Sequence, residues 1–127
     1  MPTSTREDCA RVAAAALLQA RDDDRCTLDV TGPALLSQAD LARTAAEISG
    51  RPVEYVPISI DAAIAGLVAA GLPRPVAEIF ASFDVAIARG LLAVVSDTVE
   101  RLTGRAPRRV ADFLAEHRAA LVAQRPS

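Results

Sequence analysis

Apolar positions along this 127-residue chain change their period several times, and each change marks an element. Over residues 6–20, Cys9, Val12, Ala13, Ala16 and Leu17 recur at i, i+3, i+4, i+7 and i+8, the stripe of an amphipathic helix. Thr5 and Asp8 have the spacing of a capping box at its start. Residues 1–4 read as a frayed end, and residues 21–25 (RDDDR) as a solvated charged turn. From residue 27 the period falls to two. Leu28 and Val30 alternate with Thr27 and Asp29, as in a half-buried strand. Thr31, Gly32 and Pro33 break that run, because glycine tolerates unusual backbone angles and proline removes a donor. Ser37 and Asp40 then open a helix with Leu41, Ala45 and Ile48 on one face. Gly50 and Arg51-Pro52 close it. Beyond them Val53, Tyr55 and Pro57 face one way and Glu54 and Val56 the other, a second strand.

A strand, a helix and a strand within about 30 residues is the size of a βαβ unit, with parallel strands and a right-handed crossover. Two parallel strands are weak alone and need helices on their faces. The remaining pattern supplies them. Ser59 caps a helix bearing Ile60, Ile64, Leu67 and Val68, which Gly71 ends. Pro75 starts another, to about residue 89, with Val76, Ile79, Phe80, Phe83 and Ile87 on a broad apolar side. The run at residues 91–95 fits helix, strand or coil equally. Ser96 is placed to cap a short helix through Leu102, and residues 108–124 form a last helix with Val110, Phe113, Leu114, His117 and Leu121 in line. The expected fold is therefore α/β and helix-rich. It is a single domain of five or six helices around a small two-stranded parallel βαβ unit at residues 27–57.

Composition narrows the function. Aromatic residues make up 3% of the chain and the net charge is −2, so neither a base-stacking platform nor a phosphate-attracting field is expected, and nucleic acid is not an expected partner. All 14 basic residues are arginine. The absence of lysine excludes Schiff-base, P-loop and tyrosine–lysine proton-relay chemistry from this chain. Cys9 and Cys26 lack metal-ligand spacing and read as reduced, partly buried thiols of a cytoplasmic protein. No apolar run approaches the roughly 18 residues of a membrane span, and no signal peptide is evident.

Few residues stand out chemically. His117, the one histidine, lies on the apolar stripe of the last helix without a nearby nucleophile and reads as a boundary residue. Phe80 and Phe83, with Ile79 and Ile87, either pack a core or line an apolar pocket. Tyr55 is either a packing residue with a wet hydroxyl or a proton donor at such a pocket. The glycines Gly32, Gly50, Gly66, Gly71, Gly90 and Gly104 form no G-x-G and no G-x-x-G after a strand, so this chain alone is not expected to hold a dinucleotide in the usual way.

Three stretches together carry a resemblance: residues 6–18 (REDCARVAAAALL), 28–56 (LDVTGPALLSQADLARTAAEISGRPVEYV) and 102–114 (LTGRAPRRVADFL). Asp8-x-Ala10, Thr31-Gly32-Pro33, Ser37 to Asp40, Gly50-Arg51-Pro52 and Gly104-Arg105-x-Pro107 follow in the order and spacing of the NmrA-like atypical short-chain dehydrogenases. The chain resembles the C-terminal, substrate-side part of their NAD(P)H-dependent quinone-reductase-like members over residues 4–121. Cys9 departs mildly, standing where that family more often has Val or Ile.

The resemblance implies a cover for a nicotinamide cofactor, NADPH or NADH, held by a Rossmann domain upstream. It carries no catalytic residue onto this chain. Three readings follow from it and from the residues. The first is the substrate-binding portion of an oxidoreductase, inactive without a Rossmann partner, with Tyr55, Ile79, Phe80, Phe83 and Ile87 as the substrate wall. The second is a non-catalytic module binding a small apolar ligand or a protein. The third is an unrelated enzyme using His117. A cover on its own exposes apolar surface, so a Rossmann-domain partner or self-association is expected.

Overall fold

The computed structural model describes residues 1–21 and 25–123. Those residues form seven helices, α1 (Arg6–Gln19), α2 (Gln38–Ser49), α3 (Ile60–Ala69), α4 (Arg74–Ala88), α5 (Thr98–Thr103), α6 (Val110–Glu116) and α7 (Arg118–Val122). The chain divides into two compact units, Met1–Glu54 with Val94–Ser127, and Tyr55–Ala93. The first holds α1, α2, α5, α6 and α7; the second is the α3–α4 hairpin. No described helix is long and apolar enough to cross a membrane.

The βαβ unit is absent, because no described residue lies in a strand. The polar groups of the first expected strand are met by side chains instead of a ladder. The Ser96 N–H donates to Thr31 Oγ1 at 2.9 Å, and Ser96 Oγ donates to the Asp29 carbonyl at 2.5 Å. Ser96 is thus a tie between segments and not a helix cap, and α5 begins after Asp97 without a side-chain cap. The second expected strand straddles the boundary between the units, which falls between Glu54 and Tyr55. A two-stranded parallel pair also leaves one hydrogen-bonding edge of each strand bare, so period-2 patterning alone does not suffice to form one.

Local signals did set the helix ends. Thr5 Oγ1 accepts the Asp8 N–H at 3.1 Å. Ser37 and Asp40 form a complete capping box, with Asp40 N–H to Ser37 Oγ at 3.0 Å and Ser37 N–H to Asp40 Oδ2 at 2.9 Å. Arg43 donates to the same carboxylate. These bonds, led by the Ser37 hydroxyl, lower the Asp40 pKa from 3.8 to about 2. Ser59 caps α3 by accepting the Ala62 N–H at 3.2 Å. Gly50 closes α2 in the left-handed region, at φ 72°.

The expected final helix is two. Its ladder breaks at His117, which ends α6 and begins α7 with φ −98° and ψ 20°. The His117 N–H and the ring Nδ1 both meet the Phe113 carbonyl, at 3.1 and 2.9 Å. Ring and backbone thus share one acceptor at the point where the helix ends. Arg118 at the start of α7 donates to the Ile48 carbonyl at 2.8 Å, an orphan acceptor at the end of α2.

The first unit is centred on α1 against α5, where Val12 and Val99 are buried together with the polar Asp8 and Thr98. α2 packs on α6 and α7. Residues 1–4 are not frayed. The Leu36 N–H donates to the Met1 carbonyl at 3.0 Å and the Gly32 N–H to the Pro2 carbonyl at 3.5 Å. The Thr3 carbonyl comes so close to Gly32 that a Cβ there would lie 2.0 Å from it, so glycine is needed for close approach. In the second unit α3 and α4 meet through a small-residue seam, with Ala77 and Ala81 of α4 fully buried. The charged turn expected at residues 21–25 has its central residues 22–24 outside the described residues.

Candidate functional site

In the first unit, a polar relay begins at a buried carboxylate. Asp8 is 1% exposed near the start of α1. Its Oδ2 accepts the Arg108 backbone N–H at 2.9 Å, across 100 residues of sequence, and its Oδ1 lies 3.5 Å from Arg11. Asp8 is therefore only half of the expected capping box: its N–H is capped by Thr5, and its carboxylate fixes the loop ahead of α6. That loop points Arg108 to Glu7, at 3.6 Å, and to Glu116. The Arg108 guanidinium also lies over the Phe113 ring, 5.6 Å from its centroid. Phe113 in turn stacks on the His117 imidazole, with centroids 4.3 Å apart and planes inclined by 25°. A cleft of about 750 Å³ opens beside this column, lined by residues 3–7 and by Arg108, Val110, Phe113, Leu114, Glu116 and His117. No group of three side chains suited to holding a metal occurs among the described residues.

The second unit contains all five sequence-predicted site residues. Ile79, Phe80 and Phe83 are about half exposed on α4, and Ile87 on the same helix is partly covered. Phe80 and Phe83 meet edge to face, with centroids 6.4 Å apart. Tyr55, 49% exposed, opens the unit, and no described ring contact joins it to the phenylalanines. The helix hairpin thus buries alanine and shows its aromatics. Cys9 and Cys26 are free and exposed, where partly buried thiols were expected.

Known proteins place this architecture. The chain is 41% identical over 90 residues to an uncharacterized oxidoreductase, YesF, of Bacillus subtilis, a match covering 71% of this chain and 32% of that one. It is 35% identical over 113 residues to the NAD(P)H azoreductase of Xenophilus azovorans, covering 89% of this chain and 39% of that one. Among solved structures, an NADPH-dependent quinone oxidoreductase from Escherichia coli, complexed with NADPH, superposes with a TM-score of 0.77 at 26% identity, over 97% of this chain and 42% of that one. These homologues and structural neighbours are NAD(P)H-dependent reductases of the NmrA-like family. No family model matches this chain, and its relation to them rests on these individual likenesses. The chain spans between about a third and two-fifths of the length of these relatives.

Does this stretch fit the nicotinamide cofactor of such reductases? Its glycines do not. Gly50 and Gly104 close helices, Gly71 and Gly90 make the turns after α3 and α4, and all four do so at positive φ. Gly32 is filled by the Thr3 carbonyl and Gly66 lies within α3. None forms a loop of free N–H groups ahead of a helix, which a pyrophosphate requires.

Sequence reasoning missed Asp8 and Arg108 as partners, because nothing local ties residues 100 apart. One signal was present: an acidic residue on an apolar helical stripe, adjacent to Cys9 and four before Val12, where burial demands a partner.

Proposed function

We propose that this chain forms the substrate side of an NAD(P)H-dependent oxidoreductase. The nicotinamide is held by a nucleotide-binding polypeptide, whether continuous with it or separate. The observation that carries the reading is the exposed aromatic face of α4. Phe80 and Phe83 are 51% and 54% exposed in a chain with only 3% aromatic residues. Water contact at so large a fraction of the aromatic surface is costly unless another surface covers it. Ile79, Phe80, Phe83, Ile87 and Tyr55 form an apolar wall, and the substrate lies between that wall and the nicotinamide. The relatives' names indicate the substrate class: a flat, electron-poor conjugated molecule such as a quinone or an azo compound. The bound cofactor supplies the hydride. The residues of this chain exclude water and hold the acceptor flat, which aligns it for transfer.

The test is a chimera in which this chain replaces its counterpart in the Escherichia coli NADPH-dependent quinone oxidoreductase. The chimera is expected to oxidise NADPH with a quinone as acceptor. Phe80→Ala together with Phe83→Ala is expected to raise the quinone KM about tenfold, the loss of roughly one aromatic contact. A chimera that binds NADPH and reduces quinone with an unchanged KM in the double variant excludes this wall. A folded chimera that binds NADPH without any turnover favours a non-catalytic binding module.

A further inference from the structure

We propose that the cleft between residues 3–7 and residues 108–117 binds a hydroxyl-bearing aromatic molecule of the phenol or naphthol class. Its ring lies against Phe113 and Val110, and its O–H donates to His117 Nε2. The inference is independent of the oxidoreductase reading, since every residue it uses lies in the first unit.

The argument begins with the tautomer of the chain's single histidine. Nδ1 lies 2.9 Å from the Phe113 carbonyl oxygen, which can only accept. Nδ1 therefore carries the hydrogen, and in the neutral imidazole Nε2 is a bare acceptor. No described group donates to it. Three of the neighbouring acceptor side chains are already engaged. Glu7 and Glu116 both face Arg108, and Glu7 also receives Arg11. Thr5 Oγ1 takes the Asp8 N–H. Thr3 Oγ1, which also lines the cleft, has no partner but is buried; the imidazole nitrogen, on an exposed side chain, is the open acceptor that an incoming donor reaches.

The surroundings select a flat ring to bring that donor. The cleft measures about 750 Å³, within the roughly 300–1,000 Å³ typical of small-molecule sites. Val110, Phe113 and Leu114 form an apolar lining, and Phe113 is 38% exposed. Arg6 stands at the rim with no ion pair among the described residues. A cation there favours a phenolic oxygen, which gains negative charge as it shares its hydrogen. The wall is also preorganised. Asp8 fixes the Arg108 backbone, Arg108 bridges Glu7 and Glu116, and Phe113 contacts both Arg108 and His117. Little side-chain freedom remains to be lost on binding.

The experiment is an NMR titration of the full chain with 2-naphthol and, separately, with 2-methoxynaphthalene, which has the same ring and no O–H. The expected result is saturable movement of the His117 Nε2 resonance and the Phe113 ring signals with 2-naphthol. Binding of 2-methoxynaphthalene should be about fivefold weaker, the value of one hydrogen bond. His117→Phe keeps an aromatic stack and removes the acceptor, so it should bring the two ligands to equal affinity. Equal affinities for the unsubstituted chain overturn the proposal without recourse to any variant. So do shifts confined to Phe80 and Phe83, or the absence of a saturable shift up to the solubility of 2-naphthol.

Discussion

The two units of this chain are held together in different ways. In the first, side-chain hydrogen bonds span the sequence: Thr31 to Ser96, Gln19 to the Leu102 carbonyl, Arg118 to the Ile48 carbonyl, and Asp8 to the Arg108 N–H. In the second, the side-chain bonds among the described residues are local: Ser59 accepts the Ala62 N–H, Arg74 donates to Glu78 and Ser82 to the Ile79 carbonyl. Directional bonds to partners distant in sequence fix one arrangement, most strongly at the buried Asp8 and Thr31, where an unmatched polar group loses its solvation. An alanine seam brings two helices close with little directional constraint and buries little area. The contrast teaches where each kind of task belongs. A preformed cleft stands in the unit that is polar and interlocked, and an adaptable apolar face stands on the hairpin.

The largest expected effect comes from Asp8→Ala. It strands the Arg108 N–H and leaves Arg11 paired with Glu7 alone, so the first unit should lose about 3 kcal/mol in urea unfolding. Amide exchange in α3 and α4 should be unchanged. If protection there falls in step, the two units unfold as one and the contrast fails. Val99→Ala empties two methyl groups from the α1–α5 contact and should cost about 2 kcal/mol, confined to the first unit. Phe80→Ser with Phe83→Ser should change stability by no more than about 0.5 kcal/mol, since both rings are already half in water. The same pair should reduce self-association, seen by light scattering at high protein concentration, because the exposed face of α4 is the surface expected to seek a second copy when no nucleotide-binding polypeptide covers it. Unchanged association would move the sticky surface elsewhere.

The smallest effect is a pH response at α2. The Asp40 pKa is lowered from 3.8 to about 2, chiefly by the Ser37 hydroxyl, so the unfolded chain takes up that proton first as pH falls. The cap's contribution is whole above pH 3.8 and vanishes as the pH drops through about 2. Asp40→Asn should remove this component of acid-induced helix loss in circular dichroism. An identical acid profile in the variant would show that the capping box does not contribute to stability.

What the sequence determined by itself is local. Thr5, Ser37 and Ser59 cap helices, and Gly50 ends one, because each acts on a backbone group within four residues of itself. The family was legible for a related reason: it lies in the order of such short signals along the chain. Tertiary structure decided the rest. The alternation of Leu28, Val30, Val53 and Tyr55 states which faces would be apolar in a strand, but a strand exists only when another strand takes its N–H and C=O groups. Here Ser96 takes part of that role for the first segment, and the second falls at the boundary between units. The break at His117, the burial of Asp8 and the cleft beside Phe113 likewise depend on partners distant in sequence or on the sharing of a single carbonyl. Local bonds are written in neighbouring residues, whereas buried polar groups choose among all partners the fold brings within reach.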